Sequence, residues 1–135
     1  MENTEVSKGI IFPIGDQFQS EYFTGRVYLS WLVRPGTACP IGNVTFEPGC
    51  INSWHKHAGG QILLVTGGRG YYQEDEKPAL ELHAGDVVDI PANVRHWHGA
   101  AKDSWFSHIA IEVRSDLGAP TWLDPVDLKE YSKLK

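Results

Sequence analysis

Several features that would place this sequence at once are scarce or missing. There are only two cysteines, Cys39 and Cys50, in 135 residues. Two cannot build a disulfide framework, and neither sits in a Cys-x-x-Cys or mixed Cys/His zinc spacing, so both are expected to stay reduced. No apolar run approaches the roughly 18 residues that span a bilayer, so a membrane partner is not expected. Basic clusters are absent too. The 12 Lys and Arg residues are scattered singly against 17 acidic ones, for a formal net charge of −5. That balance favours solubility and makes nucleic acid a poor partner. The opening "MENTEVSKGIIFPIGDQ" has no basic segment leading into an apolar one, which does not read as a secretory leader and points to the cytoplasm.

Helical periodicity is nearly absent. Short segments rich in β-branched and aromatic residues stand in its place: 26–33, 42–48, 61–66, 70–74, 79–83, 86–91, 96–100 and 106–113. Eight short strands at this spacing predict an all-β antiparallel sandwich or barrel. Turn signals separate them at "EPG" (47–49), "TGGRG" (66–70), "HAGD" (83–86) and "PANVR" (91–95). With 14 Gly and 8 Pro spread along the chain and 41% apolar residues, residues 1–135 are expected to form a single domain. About the first 20 residues are expected to form an arm, which could pair with a neighbouring subunit. One helix is predicted near the end, in "LDPVDLKEYSKL", with Asp124 as N-cap, Pro125 in the first turn, and Val126, Leu128 and Tyr131 facing the body.

The six histidines are distributed unevenly. Residues two apart on a strand share a face. His55 and His57 therefore point one way, as do His96 and His98, and His108 alternates with Ile109 and Ile111. Five histidines on three strands are thus placed to meet in one lumen. Neutral imidazole is the commonest protein metal ligand, and three of them with an oxygen donor suit a divalent first-row ion. Gly59 and Gly60 could bend the chain and return the amide oxygen of Gln61 toward the same ion. His83, at the "HAGD" turn, reads as an exposed loop residue, and Trp54 and Trp97 as packing on the opposite face. The "GGRG" at 67–70 lacks the strand-to-helix setting of a phosphate loop. Ser53 and Ser107 lack a nucleophile elbow.

These residues resemble the cupins, small double-stranded β-helix (jelly-roll) barrels. The first cupin motif matches "GCINSWHKHAGGQILLVTG" from Gly49 to Gly67, and the second matches "GDVVDIPANVRHWHGA" from Gly85. Asn93 replaces the usual Gly of the second motif and Ala100 its usual Asn; Asn tolerates positive φ. The likeness places the core barrel at about 40–113, followed by the short C-terminal helix. More narrowly, "VTFEPG", "WHKHAGGQ", "VTGGRG" and "HIAIE" are similar to the bacterial cupins with hydroxynitrile lyase activity, the (R)-mandelonitrile lyase-like group. That resemblance implies one divalent metal, manganese before iron, zinc or nickel, held by His55, His57, His96 and Gln61. It implies His98 and His108 as the catalytic acid/base pair. Asn52 stands where the lyases carry threonine.

Three neutral imidazoles and a neutral amide would leave a divalent ion with its full +2. Relative to a glutamate ligand, an anion about 5 Å away would gain roughly 3 kcal/mol at an effective dielectric of ~20. The site is therefore expected to act as a Lewis acid on a small hydroxy or carbonyl compound, as in cyanohydrin cleavage to aldehyde and cyanide. Val44, Phe46, Asn52, Leu63, Val65 and Ile111 are expected to line the substrate pocket. Other readings are a dioxygenase or isomerase cupin, or a non-catalytic cupin that binds a small ligand. A homodimer, or a dimer of dimers, is expected because a short jelly roll leaves strand edges open.

Overall fold

Alternating β-branched and aromatic residues favour extended backbone. In the computed structural model, which describes residues 4–135, these segments form strands. A short helix, α1 (Thr4–Ser7), precedes β1 (Asp16–Phe18), β2 (Phe23–Thr24), β3 (Val27–Val33), β4 (Ile41–Phe46), β5 (Ile51–Asn52) and β6 (His55–Lys56). The long β7 (Gln61–Glu74) comes next, then β8 (Leu80–His83), β9 (Val87–Ile90), β10 (His96–Ala100), β11 (Phe106–Glu112), β12 (Thr121–Trp122) and α2 (Leu128–Ser132). The strands run in the order β1-β3-β4-β11-β7-β10-β5-β2, with β6 joining β10 and β12, and with β8 and β9 both on β7. Neighbouring strands run antiparallel, as β11 does on β4 and β10 on β7. The all-β expectation with a short C-terminal helix holds.

The sheet curls because β7 belongs to both halves. Its first residues, Gln61–Leu64, pair with β9, and its last part pairs with β8 and β10. The predicted turn at 66–70 is not a turn. The strand runs through it with a bulge, since Ser107 pairs with Gly67 and His108 with Val65, leaving Thr66 out of register. A bulge of this kind bends and twists the strand. Gly68 sits at φ +76, and a Cβ there would lie 1.8 Å from the Trp105 carbonyl oxygen. Glycine is what lets the strand bend this close to its neighbour.

Strands outside residues 40–113 join the sheet. Of the expected arm, residues 1–3 lie outside the described residues, and Asp16–Phe18 pair with Val27–Leu29 of the same chain. The C-terminal helix starts later than predicted, and its N-cap is Asp127, whose carboxylate accepts from the Lys129 N–H at 2.9 Å. Asp124 is unavailable as a cap. Its carbonyl accepts the Trp54 N–H at 2.9 Å, while Leu123 N–H donates to Trp54 O, and these bonds keep the segment extended beside β6. Val126 and Tyr131 face the body as predicted, but Leu128 is exposed.

Two apolar clusters hold the layers together. Inside the barrel, Val27, Phe46, Leu63, Val65, Ile90 and Phe106 pack with Cys50. Outside it, Ile51, Tyr71 and Trp97 pack under Val126 and Tyr131 of the C-terminal segment. The Tyr131 hydroxyl donates to Ala100 O at 2.6 Å, which ties the helix to β10. Fully buried residues such as Phe46 and Leu63 each contribute about 1.5–3 kcal/mol. No helix among the described residues is long and apolar enough to cross a membrane. Gly68→Ala should lower the free energy of unfolding in urea by about 3 kcal/mol or more, since it adds strain at positive φ to a backbone clash. An unchanged midpoint would show that the bend of β7 tolerates a side chain.

Candidate metal centre

The two histidine pairs meet because their strands do. His55 and His96 are partners across β6 and β10, and their rings lie 4.2 Å apart between centroids. His57 follows β6, with its ring 5.0 Å from that of His55 and 5.5 Å from that of His96. A tight turn returns the chain from His57 to Gln61. The His57 carbonyl accepts from Gly60 N–H at 3.2 Å and from Asn93 N–H at 2.8 Å. Gly60 takes φ +94 in this turn, and Asn93 sits at φ +63, where the second motif ordinarily has glycine. His55, His57, His96 and Gln61 are all buried.

Hydrogen bonds fix which atoms remain free. Nδ1 of His55 donates to Ser53 O at 2.8 Å, and Nδ1 of His96 to Val94 O at 2.9 Å. Nδ1 of His57 donates to Glu112 Oε2 at 3.0 Å. A ring that carries its single proton on Nδ1 presents a bare lone pair at Nε2. The Gln61 amide nitrogen donates to Glu112 Oε1 at 2.8 Å, which turns its oxygen the other way. His57 Nε2, His96 Nε2 and Gln61 Oε1 are buried without a hydrogen-bond partner. Buried polar atoms are rarely left so, and a cluster of inward-facing lone pairs fits a cation. Proximity alone would group differently, because nitrogens of His55, His96 and His98 lie within 4.8 Å of one another. Both nitrogens of His98, however, have polypeptide partners, so it is the poorer candidate.

His98 belongs to a second chain of contacts. Asn52 Oδ1 accepts the His98 backbone N–H at 2.9 Å, which leaves the Asn52 amide nitrogen to donate to His98 Nε2 at 3.4 Å. His98 then carries its proton on Nδ1 and donates to His108 Nε2 at 3.3 Å. Burial pushes four of the five rings toward the neutral form. It lowers His96 to about 4 and His108 to about 3, and holds His55 and His98 well below the ordinary histidine range. These rings can thus accept a metal without first losing protons at neutral pH.

A cavity of about 210 Å³ opens onto His55, His57, Gln61, His98 and His108. Val44, Phe46 and Asn52 line it; Leu63, Val65 and Ile111 do not. Leu63 and Val65 point into the barrel but are spent in its closed core. Ile111 falls on the outward row of β11, between the inward-facing Ala110 and Glu112. Sequence reasoning missed the outer wall, formed by Phe18, Phe23, Trp31 and Trp122, because these come from segments outside the recognised motifs. It also missed Glu112, although alternation with His108 and Ala110 put it on the lumen face. His83 is exposed and pairs with Glu81. Trp97 is buried on the opposite face and Trp54 stacks against Arg95. Both cysteines are free, Cys50 in the core and Cys39 at the surface.

Residues 42–111 match the model of the cupin domain family. The chain is 40% identical over 116 residues to an (R)-mandelonitrile lyase of Granulicella tundricola, covering 84% of this chain and 88% of the relative. It is 28% identical over 78 residues to an acireductone dioxygenase of Exiguobacterium sibiricum, covering 54% of this chain and 44% of that one. Among solved structures, a cupin-like protein of Thermotoga maritima superposes with a TM-score of 0.87 at 48% identity, over 91% of this chain and 95% of that one.

The neutral histidines make the stripped protein acid-sensitive. Unfolded histidine titrates near 6.5, so between that value and the lowered folded values the unfolded chain binds more protons. The stability they contribute is complete above about pH 6.5 and is lost as pH falls toward 4. For His96 alone, a displacement to about 4 is worth roughly 3 kcal/mol. Thermal melting of chelator-treated protein should drop steeply between about pH 6.5 and 4. A flat profile would mean that these rings are not held neutral.

Proposed function

The chain belongs to the cupin domain family, and we propose that it is a metal-dependent lyase of the hydroxynitrile lyase type, holding one divalent ion, manganese first, on His55, His57, His96 and Gln61. The observation that carries this reading is the set of buried, partnerless acceptors at His57 Nε2, His96 Nε2 and Gln61 Oε1. An imidazole-rich set with one amide oxygen suits a borderline first-row ion better than magnesium or calcium. When bound, such an ion supplies a Lewis-acid charge against which a small anion such as cyanide can depart.

The remaining work falls to the chain. His98 and His108 are neutral bases in contact with the cavity. A hydroxyl proton taken up at His98 Nε2 displaces the Asn52 contact there, and the proton on His98 Nδ1 can pass to His108 Nε2. The charge is thereby shared over two rings. The same proton returns to the leaving group, which balances cyanohydrin cleavage to aldehyde and hydrogen cyanide. Phe18, Phe23, Val44, Phe46 and Trp122 give the organic group an apolar wall. The likeness to the mandelonitrile lyase supports an aryl substituent there.

The partial likeness to an acireductone dioxygenase favours one second reading, an oxygen-using enzyme built on the same ligands. Manganese-loaded protein given benzaldehyde and cyanide should form mandelonitrile above background, with one enantiomer in excess. Asn52→Thr, which frees His98 Nε2 from the amide, should raise the rate by about tenfold or more, part of the ~10²–10⁴ a positioned base provides. No product from either protein, with iron retained and oxygen consumed on a carbonyl compound, would favour the second reading. Protein purified without added metal should carry close to one ion per chain by elemental analysis, and His55→Ala should carry almost none.

A further inference from the structure

Glu112 is not among the metal-facing residues, yet it touches two that are. One carboxylate oxygen accepts from His57 Nδ1 at 3.0 Å and the other from Gln61 Nε2 at 2.8 Å. The amide of a glutamine is nearly symmetric in shape but not in chemistry. Turned one way it offers an oxygen to a cation, and turned the other way it offers two N–H donors and repels one. Among the described residues, the Glu112 carboxylate is the acceptor found on the Gln61 amide nitrogen. The backbone holds Glu112 in place at the end of β11, where its N–H donates to Pro40 O at 3.1 Å.

We propose that Glu112 is the positioning residue that makes Gln61 a metal ligand, by fixing the amide with its oxygen inward while clamping His57. The inference rests on the metal reading above and assigns the part that the first motif leaves open. The motif usually places an acid where Gln61 stands. Here the negative charge sits one layer further out, and the amide relays its effect. The full +2 expected from the sequence is therefore offset by a carboxylate bonded directly to two of the ligands. Partners of metal-bound histidines commonly matter about 10–100-fold in metal affinity, because they set ring orientation and basicity.

A cycle of variants separates this role from a merely structural one. Manganese affinity is measured by chelator competition for the wild type, Glu112→Gln, Gln61→Glu and the double variant, with melting of the stripped proteins as the folding control. Glu112→Gln leaves one of the two donors, Gln61 Nε2 or His57 Nδ1, facing an NH₂, so that the amide or the ring loses its hold, and should weaken binding by about 10–100-fold. In the Gln61→Glu background no amide needs orienting, and the NH₂ introduced at position 112 can donate to the carboxylate introduced at position 61. There the same change should cost less than about threefold, a clear coupling. If Glu112→Gln does not fold, Glu112→Ala takes its place in both backgrounds, with a smaller loss expected beside the carboxylate. Equal losses in the two backgrounds, or no loss in either, would overturn the proposal while leaving the metal centre standing. A wild type that binds no metal would overturn both.

Discussion

Of the five imidazoles crowded into the interior of one small barrel, burial holds four, His55, His96, His98 and His108, toward the neutral form. A charged imidazolium in that space would lack its hydration and face its neighbours' charges. The requirement reaches outward into the fold. Each neutral ring has one N–H that must be satisfied and one lone pair that points elsewhere. The backbone carbonyls of Ser53 and Val94 and the Glu112 carboxylate take the N–H groups of His55, His96 and His57 in turn. Ring orientation and tautomer follow together. The partnerless lone pairs are thus the consequence of a bonding pattern rather than of loose packing.

The strands that deliver these rings are short, and their positions depend on the long β7. Its bend lets a single strand close both halves of the barrel, so that β10 and β11, which carry His96, His98 and His108, lie on either side of it. The turn from His57 to Gln61 is held from both sides by the same His57 carbonyl. Gln61 opens β7 and Glu112 closes β11, and the two are register partners. Cross-strand pairing therefore places the carboxylate beside the amide, without any long-range coincidence of loops.

His55, His96 and Gln61 take their places from backbone pairings. Asn52 instead lines the cavity. Its amide bonds both the backbone and the ring of His98. With the amide nitrogen on His98 Nε2, the His98 proton falls on Nδ1, facing His108.

The amino-acid pattern by itself determined the strand content, the shared face of each His-x-His pair, the bend at Gly59-Gly60 and the five histidines turned to one lumen. These are local consequences of period-two alternation and glycine chemistry, and both act over a few residues. It misplaced the "TGGRG" turn, because glycine-rich sequence looks alike whether the chain reverses or merely bulges. The cap falls at Asp127 and not Asp124 because the competing bond comes from Trp54, in the bend between β5 and β6 far earlier in the chain. Only the tertiary structure decided that Leu63 and Val65 close the core instead of lining the cavity, and that aromatic residues from the terminal segments form its outer wall. It also decided that Glu112 meets both His57 and Gln61. Those outcomes depend on depth within the barrel and on cross-strand register, and alternation along one strand says which face a side chain takes but not what it will find there.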